Sequence, residues 1–210
     1  MAGLVTELAI IAAGCVDIDE DPDETDQATL AGPTVEFDPA NAIIPFPNNL
    51  LIDPTTGRVN IPPSNCETPA AAALRTNVLN QLDGFGTYET AITVTFTEPV
   101  DPASLTDRVL LLQSTREGVP LSAANAVPIN VVTMPTTTAR FPTAESCESP
   151  TLVSSLVIVP TVPLEQKSTY TVALLAGITT ATGEPFVPSV TWALIAQSQN
   201  PVTVENGVIV

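Results

Sequence analysis

The sequence predicts an all-β domain, a β-sandwich of about seven strands with one inserted α-helix. Three observations predict it. Apolar and hydroxyl side chains alternate with period two in Ile92-Thr-Val-Thr-Phe96 and again in Thr169-Tyr-Thr-Val-Ala-Leu174, the spacing of a strand that buries one face. Pro, Gly and Asp punctuate the chain between such runs at short intervals. Apolar residues make up 44% of the 210 positions and charged residues only 14%, enough for one core of ordinary size with flexible ends.

Taken in order, the chain divides into four parts. Residues 1–15 carry an apolar stretch, Leu8 to Ala13, followed by small residues that lead into Cys15. This resembles a bacterial lipoprotein signal, whose cleavage leaves the cysteine as a lipidated first residue. Ala12 stands where that signal usually has Leu, Glu7 precedes the run, and no Lys or Arg lies ahead of it. Residues 16–33 form an acidic tether: seven of the eleven residues Val16–Asp26 are acids, and charges this dense extend and solvate a chain. A calcium loop would require a glycine at its bend and a terminal bidentate Glu at the right spacing, and the run has neither.

Residues 34–197 are the folded domain. Prolines 39, 45 and 47 exclude a helix from the first part, and Asp53-Pro-Thr-Thr-Gly57 marks a turn into a short strand, Arg58 to Ile61. A helix follows, capped by Thr68, with Pro69 at its first position and Gly84 ending it; Leu74, Val78, Leu79 and Leu82 share a face that packs over one end of the sheets. Further strands are expected at Val109–Gln113, Ile129–Met134, Leu152–Val159 and Val190–Ile195. Tyr170 and Trp192 sit at or next to inward positions and are assigned to packing. Residues 198–210 read as a linker or the start of a further domain.

Between two strands lies Glu98-Pro99-Val100-Asp101-Pro102. Pro99 cannot donate a ladder hydrogen bond, Asp101 caps a turn begun by Pro102, and Leu105 folds back onto the core, so the segment is a structural corner that passes the chain between sheets. Glu98 and Asp101 also offer carboxylates to calcium, but the corner accounts for both. Asp38 beside Pro39 and Asp83 beside Gly84 are turn residues.

The absence of histidine removes Ser-His-Asp and Cys-His catalysis, His-ligated zinc and His general bases. Neither a Gly-x-Ser-x-Gly elbow nor a phosphate-cradling loop occurs. No catalytic residue, metal ligand or cofactor is assigned. With 6 basic against 23 acidic groups, the net charge of −17 repels a nucleic-acid backbone.

The corner motif, together with Pro163-Leu164 ahead of Tyr170 and the Gly177-Ile-Thr to Gly183-Glu-Pro hairpin, resembles the bacterial Ig-like domain of S-layer proteins. The upstream "FDPANAIIPFPNNLLID", "GRVNIP" and "LNQLDGFG" resemble the N-terminal domain of bacterial virulence-factor lipases. The resemblance implies an Ig-like sandwich in an exported lipoprotein, tethered to a membrane through Cys15, periplasmic or on the cell surface. Its partner would be a surface protein or a downstream hydrolase domain. It implies no hydrolase activity here, because none of that family's catalytic residues is present. With Cys15 set aside for lipid, Cys66 and Cys147 remain. In an exported protein they pair as a disulfide, and in a reducing cell they would be two thiols; the polar contexts "SNCET" and "ESCES" favour the pair.

Overall fold

A computed structural model describes residues 5–8, 32–88, 90–140, 147–195, 204–205 and 208–209. Cys15 and the acidic run Val16–Asp26 lie outside the described residues. The strands are β1 (Val5–Leu8), β2 (Thr34–Val35), β3 (Ile92–Phe96), β4 (Val109–Arg116), β5 (Val119–Val127), β6 (Ile129–Arg140), β7 (Thr151–Pro160), β8 (Thr169–Leu174) and β9 (Val187–Pro188), with a small hairpin, β10 (Val204–Glu205) and β11 (Val208–Ile209). One sheet has the order β1-β8-β4-β5 and the other β6-β7-β3-β2-β9. The two form a sandwich.

The period-two pattern produces the core directly. In β3, Ile92, Val94 and Phe96 are buried and the threonines between them are not. Val94 lies opposite Leu156 and Ile92 opposite Ile158 on β7; in the other sheet Leu111 on β4 lies opposite Val172 on β8, and Val109 opposite Leu174. Cross-strand aliphatic pairs of this kind stabilise each sheet while filling the space between the two. Ala173, expected to face outward, is buried as well.

Glu117 and Gly118 join β4 to β5, both with positive φ (49° and 78°). That is the backbone a two-residue hairpin requires, and glycine adopts it without strain. Strand β5 has no signature in the sequence: its "VPLSAANAV" lacks apolar alternation and is exposed on both faces. Pro128 then carries the chain to β6 in the other sheet. The register of β6 shifts against β7 between Met134 and Thr138, and Pro135, which has no N–H to give, lies within this irregularity.

Three elements differ from expectation. Residues Val190–Ile195 are a short helix, α2, instead of a strand. Ser189 explains it, since its hydroxyl accepts from the Trp192 N–H and its carbonyl from the Ala193 N–H, a cap that overrides the β-branched composition. Trp192 is buried all the same, stacked on Phe37 with ring centroids 4.3 Å apart.

The inserted helix, α1 (Pro69–Asn77), starts as expected, with the Thr68 hydroxyl accepting from the Ala71 N–H. It ends earlier, at Asn77, and a 3₁₀ turn, Leu79–Gln81, follows. Gly84 therefore lies beyond the helix. The expected packing also fails: no residue of α1 is buried, and Leu74, Val78 and Leu82 are 54%, 49% and 42% exposed. Polar groups hold the helix instead. Arg75 grips Glu67 through Nε and Nη2 at 2.7 and 2.8 Å, and Asn80 exchanges hydrogen bonds with the Ile61 backbone. Likewise, among the described residues, Arg58–Ile61 forms no strand and contributes the bridge of Val59 with Ile52.

Candidate functional site

The corner performs the handover its sequence implies. β3 belongs to the five-stranded sheet and β4 to the four-stranded one, and residues 97–108 connect them. The Asp101 carboxylate accepts from the Ala103 N–H at 3.0 Å, capping the 3₁₀ turn Pro102–Leu105, and Leu105 packs against the core. The turn is pinned to the Gly177–Gly183 loop. Asp101 N–H donates to Thr179 O, Ala181 N–H to Pro99 O, and Thr179 N–H to Ser104 Oγ. Thus the two motifs that carry the Ig-like resemblance, nearly eighty residues apart in sequence, meet in space. Arg108 reinforces the junction by donating to the carbonyls of Ser104, Thr106 and Ala176. Gly177 leaves room for it, since a Cβ there would stand 2.7 Å from the Arg108 Nε.

Cys66 and Cys147 are joined by a disulfide, with Cα atoms 5.5 Å apart. The bond ties the extended segment 43–65 to the β6–β7 side of the sandwich. That segment meets the five-stranded sheet in its plane, at the edge of β3, where Phe46 and Thr93 exchange backbone hydrogen bonds. Between them lies an open cleft of about 610 Å³, lined by Asn41, Ile43, Asn65, Thr95, Arg140 and Thr151 among others. Arg140 is held by Glu36 through both guanidinium Nη atoms, one of them 2.7 Å from Oε1. The cleft therefore offers hydroxyls, amides and an already neutralised cation. The pairing spans 104 residues, and no local pattern in the sequence signals it.

A second polar cluster closes one end of the sandwich. Glu165 receives Arg116 in a two-pronged contact (2.6 and 3.0 Å) and the buried Gln113 amide at 2.9 Å, while its own N–H donates to the Tyr170 hydroxyl. The Gln113 hydrogen bond and then Arg116 hold the Glu165 carboxyl below its ordinary range; Arg75 does the same for Glu67. Burial pushes the Tyr170 hydroxyl up. The sign of the pH effect follows. A carboxylate with a lowered folded-state pKa adds stability that is fully present above its unfolded value of about 4.3, and that stability disappears as pH falls through the folded value. Replacing Glu67 and Glu165 by Gln is therefore expected to flatten the fall in stability as pH drops below about 4.3, relative to the unsubstituted chain, in urea titrations at stepped pH.

In both clusters the charged groups are engaged within the fold, Arg140 with Glu36 and Arg116 with Glu165. Asp38 caps the 3₁₀ turn Pro39–Asn41, as its turn role requires. Among the described residues no three of His, Cys, Asp and Glu stand together to hold a metal ion, and no helix is long and apolar enough to cross a membrane.

Against this fold, residues 52–194 match the family of bacterial Ig-like domains. The chain belongs to that family. The match takes in the corner, both cysteines, β3 to β9 and most of α2, and it leaves out residues 35–51, part of the stretch that resembles virulence-factor lipases. The finer likenesses, to S-layer proteins and to those lipases, have no counterpart among the matches. No curated protein and no solved structure matches the chain.

Proposed function

We propose that this chain is a non-catalytic Ig-like module of an exported bacterial lipoprotein, a spacer or adhesion unit held at a membrane by lipid on Cys15. The observation that carries the reading is the Cys66–Cys147 bond within an Ig-like domain, since such bonds persist in oxidising compartments outside the cytosol. The small residues before Cys15 and the acidic run behind it fit an anchor followed by a solvated tether. Membrane attachment then depends on the lipid. A net charge of −17 suits a surface-exposed body and an uncharged or basic partner.

The alternative is the accessory domain of an extracellular lipase or esterase that works beside an α/β-hydrolase domain. One feature favours it. Phe37 is buried and Phe46 bridges to Thr93, so the lipase-like stretch is an integral part of the folded body even though it lies outside the family match. In that case the same reading frame encodes a Gly-x-Ser-x-Gly and a later His.

Mass spectrometry of the membrane fraction after palmitate labelling tests the anchor. The expected mature N-terminus is an acylated Cys15, and Cys15→Ala releases the protein into the soluble fraction. A mature protein that retains Met1 would overturn the lipoprotein reading.

A further inference from the structure

The four-stranded sheet ends on an unusual strand. β8 is buried as deeply as a central strand, with Tyr170, Val172, Ala173 and Leu174 all within 2% of full burial, and β4 pairs with only one of its edges. Its other edge is met by β1, in parallel, from Val5 opposite Thr169 to Leu8 opposite Val172. Four residues form this ladder. β1 also lies beside the 3₁₀ turn Asn49–Leu51, so the extended segment sits against the edge of β8 and next to that turn.

We propose that this edge of β8 is a strand-acceptor site, filled by β1 before processing and by an extended segment of a second exported protein afterwards. The inference rests on the lipoprotein reading, because cleavage ahead of Cys15 removes residues 1–14 and β1 with them. The outer backbone N–H and C=O groups of β8 then lose their partners. A deeply buried strand with a bare edge is a template for strand addition, in which main-chain hydrogen bonds supply affinity and alternate side chains supply selectivity.

The chemistry of the occupant follows from the seat and the charge. The resident segment is Val-Thr-Glu-Leu without proline, so the partner is an extended, proline-free run rich in aliphatic and β-branched residues. All five arginines make intramolecular contacts: Arg58 with Gln81, Arg75 with Glu67, Arg108 with backbone carbonyls, Arg116 with Glu165 and Arg140 with Glu36. Against a net charge of −17, an acidic segment is repelled and a neutral or basic one is favoured.

The test uses the full chain with β1 displaced by the double substitution Thr6→Pro and Glu7→Pro, which removes ladder donors of both parities. Cleavage plays no part in it, so its result is independent of whether Cys15 is lipidated. The probe is a labelled peptide of residues 3–10, Gly-Leu-Val-Thr-Glu-Leu-Ala-Ile, carrying two C-terminal lysines. The peptide is expected to bind the substituted chain at least tenfold more tightly than the unsubstituted one. The outer amides of β8 should exchange hydrogen at least tenfold faster in the variant and regain protection when peptide is added. A backbone N-methylated peptide, or one ending in two aspartates, should bind more weakly. The proposal is overturned if β8 stays protected in the variant without peptide, because another part of the chain then fills the edge. It is also overturned if N-methylation leaves binding unchanged, or if the variant dimerises in preference to binding peptide, which would make a second copy the partner.

Discussion

Replacing Cys66 and Cys147 by serine, or reducing the bond between them, is expected to lower the unfolding free energy by about 4.5 kcal/mol, the chain-entropy value for so long a loop. The two cysteines are 81 residues apart, and the loop they close contains α1, β3, β4, β5 and β6. Cutting the bond therefore enlarges the unfolded ensemble far more than it disturbs native contacts. The midpoint of thermal unfolding should fall by roughly 10 °C for a domain of this size. The core strands themselves carry neither cysteine, so the near-ultraviolet circular dichroism of Trp192 and Tyr170 should persist in the reduced protein at 25 °C. Urea titration with and without reductant measures the difference. A loss below about 1 kcal/mol would mean that segment 43–65 is fastened by its own contacts and that the staple is redundant.

Phe96→Ala is the second large effect, about 4 kcal/mol of destabilisation. Phe96 is fully buried on the strand at the middle of the five-stranded sheet. Its ring meets Phe186 edge-on at 4.9 Å between centroids, and the residue opposite it on β7 is Ser154, too small to fill the space. The cavity left behind would thus be bordered by a residue that cannot collapse into it, the circumstance in which large-to-small changes cost most. Thr95→Ala, one position away on the outer face, removes a contact with the Arg140 guanidinium and should cost less than about 1 kcal/mol. Denaturation midpoints of the two variants, measured side by side, separate inward from outward residues of one strand. Equal losses would contradict the assigned faces.

What was legible in the sequence was local or periodic. Ile92, Val94 and Phe96, like Tyr170, Val172 and Leu174, show their inward faces because one sheet face meets the core and the other does not. The corner was legible for the same reason: Pro99 ends a ladder and Asp101 caps a turn within a few residues. β5 was not, because it is exposed on both faces and selects no hydrophobic period. At α2 the residues Val190, Thr191 and Ile195 suggest a strand, while one hydroxyl at Ser189 decides for a helix. For α1 the stripe of Leu74, Val78 and Leu82 was visible, but what a stripe packs against is a tertiary fact, and here that face is left exposed. The ion pair of Glu36 with Arg140 and the parallel seat of β1 on β8 depend on register between distant segments, which no window of sequence contains.

On the proposed reading this Ig-like body holds other things in place and transforms nothing. The purified, oxidised 210-residue chain, incubated with a panel of short- and long-chain esters at neutral pH, is then expected to release product at rates equal to buffer alone. Turnover that co-purifies with the folded chain and is lost on its unfolding would contradict it.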